Sequence, residues 1–129
     1  MSTQEPKYLH ELHLENTTFK KSLEFFQDEL VTFNNRLEEI AKANTKIEVL
    51  REVEKYQNQF IRQNEVIDEI LSALSKDEHR LFLEAEKNNV ATDQRKTEDH
   101  ISLRNEFSVF EKIYSEMKMN YTEFLSKVF

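Results

Sequence analysis

The chain is 129 residues long, carries a formal net charge of -7, and contains no Gly, no Cys, no Trp and one Pro, Pro6. That length suits one domain with a real core and is too short for two comfortable ones. The missing Cys excludes a disulfide scaffold and a thiolate metal site, the missing Gly excludes a phosphate-cradling loop, and scattered Lys and Arg argue against general binding to a nucleic-acid backbone.

Ten Phe and four Tyr in a chain that is 33% charged require apolar and polar residues to be segregated on separate faces, since neither class tolerates random placement. With almost no residues suited to left-handed turns, the composition predicts long helices joined by short polar turns. No charged-then-apolar leader opens the chain, and no apolar run approaches the roughly 20 residues of a membrane span. A soluble, cytoplasmic protein without membrane contact is expected.

The first helix is predicted over about 6–43. Leu9, Leu12, Asn16, Phe19, Leu23, Phe26, Leu30, Phe33, Leu37 and Ile40 follow an alternating three-four spacing, which is a heptad seam. Its Phe residues recur every seven positions, as a packing layer would. Asn44 can end this helix, and Thr45 with Glu48 forms a capping box that opens a second helix over about 45–88. Its seam runs through Val49, Val53, Tyr56, Phe60, Gln63, Ile67, Ile70 and Leu74, widened by Leu50, Ile61, Val66 and Leu71 for contact with two neighbours. Ser75 with Glu78 is a further possible cap, yet Leu81, Phe82 and Ala85 favour continuation of the helix. A polar run supplies a turn near Asn88 to Thr92. A third helix over about 93–128 carries its seam on His100, Leu103, Phe107, Phe110, Tyr114, Met117, Tyr121, Phe124 and Val128.

Three sustained seams joined by short turns predict an all-α fold: an antiparallel up-down-up three-helix bundle with coiled-coil-like packing, in one domain over residues 1–129. Reflecting the first helix about Asn44 pairs Phe33 with Tyr56 and Phe19 with Ile70. Reflecting the second about Asn89 and Val90 pairs Phe60 with Phe124. In that register the third helix stops near the level of Lys55 and Asn35, so the tip of the first hairpin protrudes. Leu37, Ile40, Ile47, Val49, Leu50 and Val53 would then form an apolar interface for a second copy or another helical protein. A chain that folds back, or an alignment shifted by one heptad, would cover it.

The chemistry-bearing residues are sparse. All four His fall toward one end, but by heptad position His10 and His79 point outward, His13 sits at an edge, and only His100 lies on the seam. Di-metal carboxylate bundles need Glu three residues before an inward His, and Lys7, His10, Lys76 and Thr97 stand there instead. His10-Glu11-Leu12-His13 has the wrong spacing for a zinc-protease helix. Asn16, Gln63 and His100 are polar seam positions of the kind that fix register in coiled coils. Tyr56, Tyr114 and Tyr121 read as core rings whose hydroxyls reach the rim. The sequence therefore predicts no catalytic constellation, no cofactor, no metal site, no nucleic acid and no small-molecule substrate. The leading expectation is a non-enzymatic helical interaction or self-association module, with a metal- or small-ligand-binding bundle using the His-rich end as the alternative.

Overall fold

A computed structural model describes residues 4–87 and 94–129 of the chain. Three long helices account for nearly all of them: α1 (Gln4–Ala43), α2 (Ile47–Lys87) and α3 (Gln94–Val128). At 1.5 Å per residue the 40 residues of α1 span about 60 Å. The predicted turn near Asn88 to Thr92 lies outside the described residues, as do the side chains of Glu5, Lys7 and Thr97. Among the described residues no helix is long and apolar enough to cross a membrane.

α2 passes through Ser75 and Glu78 without interruption, because Leu74 and Leu81 on either side both bury against the bundle. Its start lies slightly later than the capping box implies. The first carbonyl of α2 to accept is that of Lys46, from the Leu50 N–H at 3.1 Å, so Lys46 and not Thr45 occupies the cap position. Asn44 closes α1 instead, its side-chain amide donating to the Ile40 carbonyl at 2.9 Å, which satisfies an end carbonyl without Gly. Charges at the ends complement the helix dipoles, with Glu48 in the first turn of α2 and Lys42 and Lys127 in the last turns of α1 and α3.

Contacts between helices fix their sense and register. Along α1 the residues Asn16, Gln27 and Phe33 meet Asp77, Asp68 and Phe60 of α2, so rising numbers on one helix meet falling numbers on the other. Along α3 the partners of Phe19, Phe26 and Phe33 are Phe107, Tyr114 and Tyr121, at ring-centroid distances of 4.4, 4.5 and 5.0 Å. The sevenfold Phe spacing of α1 thus meets an equal aromatic spacing on α3. These interleaved rings, with Tyr56, Phe60, Phe110 and Phe124, form the middle of a continuous core that also takes in Leu23, Leu30, Ile67 and Ile70.

This register overturns the predicted protruding tip. Phe33 meets Tyr121, so α3 lies about six residues further along α1 than the reflected seams place it, and Tyr56 packs on both Tyr121 and Phe124. Leu37, Ile40 and Val53 are fully buried within the chain, and Val49 and Leu50 are half-buried; of the six predicted interface residues only Ile47 is exposed. Reflected apolar seams match equally well after a shift of seven, so apolar matching could not select the register.

Candidate functional site

A polar layer that a slip of one heptad would break lies toward the other end of the bundle. Leu9, Leu12 and Leu81 form a small apolar cluster separate from the main core. Between the two sits a polar layer in which Asn16 of α1, Asp77 of α2 and His100 of α3 are all buried on their seams. Asp77 is the hub. It accepts from the Asn16 amide at 2.9 Å and from His100 Nδ1 at 2.7 Å, and Arg80 donates to its other oxygen at 3.3 Å. His100 Nε2 meets Glu15 at 2.7 Å, and Glu15 also accepts from Arg104 at 2.8 Å. On the opposite side Asn16 donates to Glu78 at 3.0 Å, and Glu78 pairs with His13. A chain of hydrogen bonds therefore crosses the bundle from half-exposed His13 through the buried layer to half-exposed Arg104.

The protonation of this layer follows from its partners. The hydrogen bond to Asp77 raises the His100 imidazole above its ordinary 6.5; burial opposes this, and the Glu15 carboxylate adds to the rise. Burial pushes the Asp77 carboxyl up, but bonds from His100, Asn16 and Arg80 outweigh it and hold the group below its ordinary 3.8. Glu15 behaves likewise: burial raises it, and Arg104 with His100 brings it below 4.5. Both ring nitrogens of His100 face carboxylate oxygens, so the imidazolium donates twice, whereas the neutral ring would leave one carboxylate without a donor.

A pH dependence of stability follows. The raised His100 contributes fully below its unfolded value of 6.5 and loses its contribution as pH climbs through its folded value. The depressed Asp77 and Glu15 contribute fully above 3.8 and 4.5 and lose their contributions as pH falls through their folded values. Denaturant melts should show a plateau between those limits, roughly pH 4.5 to 6.5, with a decline on each side. His100→Gln should abolish the alkaline decline; an unchanged alkaline limb in that variant would show that His100 does not produce it.

No protein-family model, no curated protein and no solved structure matches this chain.

Of the polar seam residues read from the sequence, the structure unites Asn16 and His100 and places Gln63 elsewhere, on the floor of a groove between α2 and α3. Asp77, Glu15 and Glu78 were missed. Extending the three-four spacing of α2 past Leu74 reaches Asp77, Leu81 and Glu84, all buried, so the signal for Asp77 was present once the helix was taken as continuous. Glu15 and Glu78 carry no such signal, because flanking positions become partners only when the neighbouring helix is in place. His10 and His79 are exposed and stand outside the layer. Among the described residues no three His, Cys, Asp or Glu side chains are placed to share one ion.

The tyrosines on α3 also tie it to α1. Tyr114 donates to Glu29 at 2.8 Å, beside a Lys118–Glu29 pair at 2.7 Å, and Tyr121 donates to the Phe33 carbonyl at 2.9 Å. Burial pushes the Tyr121 hydroxyl up to about 12, and burial together with Glu29 raises Tyr114 well above the ordinary phenol range. Both therefore act as neutral donors.

Large apolar side chains remain outside. Val109 and Ile113 of α3, each about half exposed or more, line the α2–α3 groove with half-buried Val66, while Val31 and Ile61 stand exposed on α1 and α2. A second cleft, between α1 and α2, is lined by His13, Lys20, Leu71, Leu74 and Glu78.

Proposed function

We propose that this protein is a non-enzymatic, cytoplasmic helical module that works by association, using the grooves between its helices as contact surfaces for a second copy or another helical protein. The observation that carries this reading is the set of exposed aliphatic side chains standing beside a core that is already closed: Val31, Ile61, Val109 and Ile113 are 49–60% exposed, while the seam residues beneath them are buried. Aliphatic side chains in open grooves of a helical bundle are suited to the stripe of an added helix, which packs by the same ridge-and-groove rules. The hairpin tip is no longer the surface, since α3 covers it.

The alternative, a small-ligand-binding bundle at the His-rich end, draws support from the α1–α2 cleft beside the His13–Glu78 pair. The two readings separate in one experiment. A photo-crosslinking benzoylphenylalanine placed at position 61 or 113, in the full chain in its native cell, should yield discrete protein adducts, and the same group at exposed, polar Asn58 should not. Absence of adducts at both apolar positions would remove the association reading.

A further inference from the structure

The α2–α3 groove has features that identify its occupant. Its middle is apolar, with Val109 and Ile113 exposed along one wall. On the opposite wall Arg62 and Glu69 lie seven residues apart, so a cation and an anion stand on either side of the same centre. The contacts of Tyr56 with Tyr121 and of Asp77 with His100 set the level of each helix against the other, and they place the midpoint of Arg62 and Glu69 within one residue of the level of the midpoint of Val109 and Ile113. At the floor, Gln63 is buried, and its side-chain carbonyl accepts no hydrogen bond among the described residues.

These features are self-complementary. We infer that the α2–α3 groove is a homodimer face, on which a second copy of the chain lies antiparallel about a two-fold axis passing between Val109 and Ile113. Such an axis sets Val109 of each copy against Ile113 of the other, which covers both exposed side chains at once. It also sets Arg62 of each copy against Glu69 of the other. An isologous contact of this type closes on itself and stops at two copies. Arg62 already holds Glu65 and Glu69 within its own helix at 3.4 and 3.7 Å, so its head group is held over the groove wall before the partner comes.

The inference rests on the association reading and adds to it the surface, the partner and the geometry. Its test is the solution mass of the full chain by light scattering across a concentration series. The expected result is a species of twice the 15.5 kDa chain mass, reduced to a monomer of unchanged helicity by Ile113→Glu. The charge reversals Arg62→Glu and Glu69→Arg should each weaken the dimer at least severalfold, and together should restore it. Ile61→Glu, on the α1 side of α2, should leave the dimer intact. A monomer at every concentration overturns the inference, and so does a dimer indifferent to Ile113→Glu. If the chain is monomeric while position 113 crosslinks to a different protein, the homodimer fails and the association reading stands.

Discussion

Asp77→Ala is expected to destabilise the bundle by about 3–5 kcal/mol, the usual cost of removing one partner from a buried charged pair. Asp77 holds Asn16, His100 and Arg80 at once, so its loss takes one of two partners from a buried amide and leaves the buried His100 Nδ1 without an acceptor. For a chain of this size the thermal midpoint should fall by on the order of 10–20 °C. A midpoint within about 2 or 3 °C of the parent would mean that the layer relaxes at little cost and that Asp77 is not its hub. Replacing all three of Asn16, Asp77 and His100 by Leu is the informative companion. Buried polar groups exchanged together for apolar ones of similar size are often neutral or stabilising, by about 1–4 kcal/mol. The melting midpoint should recover. The unique register should not, because the aliphatic and aromatic seam layers that remain match themselves after a slip of one heptad. Doubled or broadened amide resonances in the triple variant would report that loss, and a single sharp set would show that the aromatic layers alone fix the register.

Tyr121→Ala is expected to cost a comparable amount, about 3–5 kcal/mol, as large aromatic truncations in packed cores do. Its ring touches Phe33, Tyr56, Phe60 and Phe124, so one substitution opens the centre of all three helix contacts. Tyr121→Phe keeps the ring and removes only the bond to the Phe33 carbonyl, which should cost about 0.5–1.5 kcal/mol. Phe25 provides the contrast. It lies on the surface against Phe26, and Phe25→Ala should shift stability by less than about 1 kcal/mol. Equal losses for Tyr121→Ala and Phe25→Ala in urea melts would contradict the packing described.

The site was partly legible in the chain. Asn16 and His100 stood out as polar residues on apolar seams, and the structure brings them into one layer. Gln63 stood out in the same way, but it lies fourteen residues before Asp77 on α2 and instead floors an open groove. Asp77 became readable only if α2 was followed through Ser75. Glu15 and Arg104 could not be read at all, because their pairing depends on how α1 and α3 face each other.

By itself, then, the sequence determined the all-helical class, three helices close to their observed limits, and which face of each is buried. Those properties follow from local periodicity and from the absence of Gly, and a regular three-four spacing encodes them redundantly. Tertiary structure alone decided the register. A heptad seam looks the same after a shift of seven, so the apolar pattern allowed an alignment that left Leu37, Ile40 and Val53 bare, and the folded bundle buries them under the end of α3. A contact between three helices, such as Asn16 with Asp77 with His100, would be broken by a slip of seven, and it exists only once all three have come together.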